Sequence, residues 1–226
     1  MRSIARQRVI DEPTSRLFLK VPWVKFGRGH FSGFLVRFTG SDFHISRAAR
    51  IILGGGIIAY PTEGVWGLGC DPFDDAAVFR ILQMKQRRVS KGLILIASNT
   101  EQLTPALSDL NKNELDQLRR DFGYPITWLV PDNGVLPYWI TGGADTVAVR
   151  ISKHPGVAAL CERLGSAMVS TSANPGGRPA ARNALRVRQY FNRDLDYVFP
   201  GRLQSEQGAS EIRHLRSGQI IRPRGS

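Results

Sequence analysis

IILGGGIIAYPTEGVWGLGCDP, residues 51–72, decides how the chain is built. Ile45, Ala48, Ala49, Ile51 and Ile52 fall on one helical face, and the glycines at 54–56 stop that helix. Ile57 to Tyr60 follows with no charged residue to mark a solvated face, which predicts a strand buried on both sides. The chain then leaves through Pro61-Thr62 into a glycine-punctuated turn.

The alternation continues downstream. Asp74 suits the N-cap of a helix that carries Ala77, Val78, Ile81 and Leu82 on one face and runs to about Gln86. Leu93 to Ala97 predicts a second buried strand, followed by helices over 101–107 and 112–121 and a strand at 126–131. Val147 to Ile151 predicts a strand, His154 to Leu164 a helix and Ala167 to Thr171 a strand. A helix at 182–191 and short strands at 196–199 and 219–222 complete the series. Strands alternating with helices, most of them apolar throughout, indicate an α/β sheet covered on both faces. Repeats and low-complexity tracts are absent.

The 226 residues suit one large domain, or one domain with an arm. The net charge of +12 points to polyanionic partners such as nucleic acid or nucleotides. Half of that excess sits in residues 1–40, where eight Lys/Arg face only Asp11 and Glu12, a net of +6. This stretch shows no sustained periodicity, and its Phe18, Trp23, Phe26, Phe31 and Phe34 are scattered. It reads as a basic extension over residues 1–41 ahead of a body at 42–226, or as leader preceding a start near Leu35 or Val36. Residues 1–30 lack a secretory signal, and no run reaches the roughly 18 apolar residues of a membrane helix. Cys70 and Cys161 form no metal spacing and no CxxC, so a reduced cytoplasmic compartment is the default.

Common catalytic signatures are missing: there is no GxxxxGK[ST] phosphate loop, no HExxH and no GxSxG. His30, His44, His154 and His214 have no metal-ligand spacing, and His154 before Pro155 suits a structural role at a helix start. Cations and hydroxyls gather at strand ends instead. KQRRVSKGL (85–93) puts Lys85, Arg87, Arg88 and Lys91 ahead of an apolar run, and VSTSANPGGRP (169–179) leaves another buried strand. With residues 59–72 these make three strand-end loops, and ligands of open α/β sheets bind at such ends. The composition suits chemistry in which the protein positions phosphates and stabilises charge.

Together these loops resemble the YrdC family over about residues 43–224. YPTE at 60–63 with the following GxG, the KxR of Lys85 and Arg87, and the SxN of Ser172 and Asn174 occur in the family's order and spacing. PITWLVP (125–131), TVAVRISKHP (146–155) and SEIRH (210–214) add to the likeness. The resemblance implies a twisted, open, largely buried mixed sheet flanked by helices, with a basic concave face. It implies an L-threonylcarbamoyladenylate synthase of the short form, without the family's extra C-terminal domain. Such an enzyme takes L-threonine, bicarbonate and ATP to threonylcarbamoyl-AMP and pyrophosphate, and partner proteins then use the product to modify tRNA.

On that resemblance Lys85 and Arg87 are the expected catalytic, phosphate-holding cations. Ser172 and Asn174 are expected at the nucleotide, with Thr127 and Ser210 as further ATP contacts. Thr62, Arg150 and Ser170 are expected at threonine, Arg150 pairing its carboxylate. No residue is assigned to a metal; Mg2+ is expected to arrive with ATP, held by phosphates and water. Plainer readings stand beside these. A helix C-terminus attracts cations for about 0.3–1 kcal/mol without any ligand, Thr62 suits any strand end, and Arg150 suits an internal salt bridge. Arg88 and Lys91 face either solvent or RNA, and Glu63 is expected to orient Lys85 or Arg87. The rival class is a non-catalytic module that grips tRNA or double-stranded RNA through phosphate contacts alone.

Overall fold

A strand that is apolar on both sides needs cover on both sides, and here the two sheet faces receive different cover. The computed structural model describes residues 40–225, which fall in one unit, Phe38–Ser226. The expected extension over 1–41 lies outside the described residues except for its last two positions.

The helices are α1 (Gly40–Leu53), α2 (Asp75–Met84), α3 (Thr104–Leu107), α4 (Lys112–Arg119), α5 (Tyr138–Thr141), α6 (Pro155–Leu164) and α7 (Ala184–Phe191). The strands are β1 (Ile58–Pro61), β2 (Trp66–Gly69), β3 (Ile94–Ala97), β4 (Ile126–Pro131), β5 (Thr146–Ile151), β6 (Met168–Ser172), β7 (Tyr197–Val198), β8 (Glu211–His214) and β9 (Ile220–Arg222). They form one mixed sheet in the order β7-β1-β2-β6-β3-β5-β4-β8-β9. Parallel pairs (β1 with β7, β3 with β5, β4 with β8) sit among antiparallel ones.

Alternation along each strand sends residues to two cores. Ile57, Ala59, Leu95, Trp128, Val149 and Val169 join the larger core with Ala77, Val78 and Ile81 of α2 and Val187 and Phe191 of α7. The opposite face carries Ile58, Tyr60, Ile96 and Met168 into a smaller core under Ala48 and Ile52 of α1 and Leu160 and Cys161 of α6. Those two helices cover only one end of that face. Beyond Ile96, the same face continues through Ile94, Ala148, Leu129 and Ser170, which line an open cavity instead of a core. Among the described residues this part of the face stays open, and it forms the site.

Caps set the helix starts. Asp74 Oδ1 accepts the Ala77 N–H at 2.9 Å, and His154 Nδ1 accepts the Gly156 N–H at 3.2 Å, so His154 does structural work at α6. The helix expected over 101–107 is a 3-10 turn (Glu101–Leu103) followed by α3, and α4 stops at Arg119 with Asn111 and Glu114 forming a capping box.

Three elements depart from expectation. β2 lies inside the stretch read as a turn, paired antiparallel with β1 from Ile58↔Gly69 to Pro61↔Trp66. Its glycines make room for a ring: a β-carbon at Gly69 would sit 2.8 Å from Tyr60 Cε1, and one at Gly67 3.2 Å from Tyr60 Cζ. β8 carries a single aliphatic residue, Ile212, and holds its place by pairing with β4. α5 is one turn long, too short to leave a periodic signal.

Candidate active site

The uncovered face forms a cavity of about 320 Å³. Its floor is small and apolar (Ile94, Leu129, Ala148), which leaves room above the strands. Its rim comes from the turn after β1, the 3-10 turn Val89–Lys91, the end of β6 and the β8–β9 pair. Among the described residues, no carboxylate lines it.

Three guanidinium groups reach this cavity. Arg87 is held by backbone oxygens: its Nη2 donates to the carbonyls of Gly92 at 2.9 Å and Lys91 at 3.1 Å, and its Nε to Gly92 at 3.3 Å. Gly92 adopts φ 57°, and a β-carbon there would lie 3.0 Å from the carbonyls of Ile140 and Thr141, so the turn that anchors Arg87 needs glycine. Burial pulls the Arg87 pKa below its ordinary value.

Arg150, 6% exposed, pairs with Glu63 through Nη2. The same carboxylate accepts from the Ser152 hydroxyl at 2.8 Å and the Lys153 N–H at 3.1 Å. Burial alone would raise the Glu63 carboxyl; the Arg150 charge, helped by these hydrogen bonds, outweighs it and holds the pKa below the ordinary carboxylate value. Glu63 therefore orients Arg150, not Lys85 or Arg87 as expected from sequence. The turn carrying it is itself clamped. The Ser205 N–H donates to the Glu63 carbonyl at 2.7 Å, and a β-carbon at Gly64 would collide with the Gly208 carbonyl.

Arg222 is the third. Its Nη2 donates to the Ser210 carbonyl at 2.7 Å. Burial first, then repulsion from Arg150 and Arg87, lowers its pKa. Arg150 Nε and Arg222 Nε are the two buried side-chain nitrogen or oxygen atoms left without a hydrogen-bond partner among the described residues. Buried donors are nearly always paired. The arginines give the cavity a cationic wall, which suits an anion.

The expected residues divide between wall and support. Thr62, Arg87, Arg150, Ser170, Ser172 and Ser210 line the cavity. Lys85, Asn174 and Thr127 stand behind the wall. Thr127 Oγ1 lies 2.8 Å from Ser210 Oγ and positions that hydroxyl. Lys85 is spent on backbone carbonyls of the 172–174 segment, and Asn174 on its own turn. Thr62 Oγ1 donates to the Val65 carbonyl at 2.7 Å, closing the turn after β1. Lys91 joins the wall and Arg88 does not. Sequence reading placed a strand at 219–222 but did not single out Arg222 at its end, because nothing local shows that this strand borders the cavity. Ser90, Thr141 and Thr146 also line the wall without having been singled out.

No helix among the described residues is long and apolar enough to cross a membrane, and none of their side chains form a cluster of three or more potential metal ligands.

Comparison with known proteins shows the family. The family model for Sua5/YciO/YrdC, described as telomere recombination, matches residues 50–224. The threonylcarbamoyl-AMP synthase of Stutzerimonas stutzeri is 54% identical over 182 residues, spanning 80% of this chain and 98% of that protein. Its namesake from Pseudomonas aeruginosa PAO1 is 52% identical over 183 residues, 81% of this chain and 98% of that one. The solved structure of P. abyssi Sua5 complexed with L-threonine superposes with a TM-score of 0.73 at 31% identity, covering 80% of this chain and 54% of that chain. This chain thus matches about half the length of that Sua5. E. coli YciO shares the fold, with a TM-score of 0.68 at 23% identity. By its matched model, its relatives and its sheet, the chain belongs to the Sua5/YciO/YrdC family.

Proposed function

We propose that the cavity joins L-threonine, bicarbonate and ATP into threonylcarbamoyl-AMP, releasing pyrophosphate, the reaction after which its half-identical relatives are named. One observation carries this reading. Among the described residues, three guanidiniums meet one cavity and no carboxylate lines its wall.

Threonine's amine takes up carbon dioxide from bicarbonate as a carbamate, with loss of water. A carbamate oxygen attacks the α-phosphorus of ATP, and pyrophosphate leaves with the electron pair of the broken P–O bond. Neither step uses a protein nucleophile. What the protein supplies is position and positive charge already in place before the transition state forms.

Arg87 takes the phosphates, with Ser172, Arg222 and Ser210 completing the nucleotide's contacts. Arg150, braced by Glu63, pairs the threonine carboxylate, and Thr62 and Ser170 read its polar groups. Arginine suits these tasks because its planar fork stays charged when partly buried. Mg2+ enters as part of the nucleotide substrate. No carboxylate of the described residues lines the wall, which favours phosphates and water as its ligands. The product is a mixed anhydride, so an acceptor must consume it: the adenosine beside a tRNA anticodon, delivered by downstream tRNA-modification proteins. This work belongs to the cytoplasm. The basic surface then contacts tRNA as a secondary property, and a tRNA- or double-stranded-RNA-binding module without catalysis is the reading to be excluded.

The test is label transfer. Incubation with 13C-bicarbonate, ATP and L-threonine should yield an adenylate carrying the label, detected by mass spectrometry. ATP binding with no labelled adenylate in any condition would defeat the proposal.

A further inference from the structure

Lys85 differs from its neighbours in the KQRR run by what it touches. Its side chain is buried, 4% exposed, and takes no part in the cavity wall. The ammonium donates to the Ser172 carbonyl, to the Asn174 carbonyl at 2.8 Å and, more distantly, to Asn174 Oδ1 at 3.5 Å. The tie is returned by the main chain, where the Gly176 N–H donates to the Lys85 carbonyl at 2.8 Å. The C-terminal end of α2 and the turn at 172–176 are therefore fastened in both directions.

Asn174 is consumed within that turn. Its Nδ2 donates to the carbonyls of Pro175 at 3.1 Å and Arg178 at 2.7 Å, and its Oδ1 accepts the Ser172 hydroxyl at 2.6 Å. Of Lys85, Ser172 and Asn174, only Ser172 lines the cavity. A phosphate reaching Lys85 would have to strip it from two backbone carbonyls and leave them buried without a donor, which is costly.

We propose that Lys85 is a positioning residue: its ammonium shapes the 172–176 turn that sets Ser172 on the cavity wall, and it makes no phosphate contact itself. The proposal rests on the reading of this cavity as an ATP site. Three acceptors surround Nζ, and an ammonium has three N–H donors where a neutral amine has two. The charged form is thus the one that fits. Arg87 is the charged group facing it, and the partners from the turn are neutral. Burial, and then the Arg87 charge, bring the Lys85 pKa down to about 7, so its protonation changes in the neutral range. An incoming polyanion favours the charged form, so nucleotide binding and proton uptake at Lys85 are linked.

The experiment is a double-mutant cycle read as ATP affinity by calorimetry, from pH of about 6 to about 8.5, on wild type, Lys85→Met, Ser172→Ala and the double variant. Each single change should weaken ATP roughly tenfold. The double should be no weaker than the weaker single, because Lys85 acts through Ser172. In wild type the affinity should fall as pH rises through about 7, a limb absent from Lys85→Met. In ligand-free Lys85→Met the amide resonances of Asn174 and Gly176 should move while those of β4 and β8 stay. Multiplying effects in the double variant would make Lys85 an independent phosphate ligand and overturn the proposal, as would unchanged affinity in Lys85→Met. Should Lys85→Met fail to fold, Lys85→Arg decides: loss of the pH limb supports the role, and its persistence overturns it. A wild type that binds ATP yet makes no threonylcarbamoyl-AMP would sink the functional reading alone.

Discussion

One face of the sheet has two ends with opposite fates. At one end Ile58, Tyr60, Ile96 and Met168 meet α1 and α6 and form a closed core. At the other, Ile94, Leu129, Ala148 and Ser170 floor a cavity ringed by Arg87, Arg150 and Arg222. The transition falls within β3, between Ile96 and Ile94, two residues on the same side of one strand. Cover spent on stability at one end is withheld at the other, and the exposed strands become a platform for anions. The two ends should therefore respond differently to mutation, one in stability and the other in ligand binding.

The largest expected effect lies in the brace between the turn after β1 and β5. Glu63→Gln leaves the Arg150 charge buried without its counterion and should cost about 3–5 kcal/mol in chemical denaturation. The pH dependence sharpens this. The folded pKa of Glu63 is lowered, so its stabilisation is present above the ordinary carboxylate range and lost as pH falls through the folded value. That acid limb should be missing in Glu63→Gln; an unchanged limb would show the brace to be elsewhere.

Next comes the closed end. Ile96→Ala removes a fully buried side chain and should cost about 2–5 kcal/mol while the KM values for ATP and threonine stay within about twofold. Its counterpart at the open end is Ala148→Met. That change fills the cavity floor and should raise the KM for ATP or threonine about tenfold, with thermal stability shifted by no more than about 1 kcal/mol. If Ala148→Met destabilised the protein as much as Ile96→Ala, the two ends would not differ as described.

A separate effect is a stability slope. Lys85 titrates near 7 folded and near 10.5 unfolded, so between these values the unfolded chain binds the extra proton. The cost of its buried charge is complete below about 7 and fades as pH rises toward 10.5, so this contribution makes stability rise with pH. Subtracting the Lys85→Met profile from wild type should isolate that rise. A flat difference would mean that Lys85 does not titrate there.

Residues that report through the hydrophobic pattern were legible in the sequence. The apolar runs at β1, β3, β4, β5 and β6 mark strands because both their faces carry apolar residues. β2 was not legible, because Tyr60 supplies the cover that Gly67 and Gly69 lack, and a long-range ring leaves no local pattern. Nor was β8, whose place comes from pairing with β4 rather than from its own residues. In the site, Arg87 and Ser172 could be named because their motif places them at strand ends. Lys85 sits in the same motif, yet its partners are backbone carbonyls nearly ninety residues away, which side-chain types do not encode. Arg150 was legible as a cation at the site but not as the partner of Glu63, and Arg222, though in an expected strand, owes its place at the cavity to pairing with β8.

The most direct test of the account is pyrophosphate release from ATP and bicarbonate, with and without L-threonine, on wild type and Arg87→Ala. Release that depends on threonine and falls at least about a hundredfold in a folded Arg87→Ala protein is the predicted result. Release at wild-type rate from folded Arg87→Ala, or none from wild type, would contradict the assignment of the uncovered basic cavity as the place where nucleotide and amino acid react.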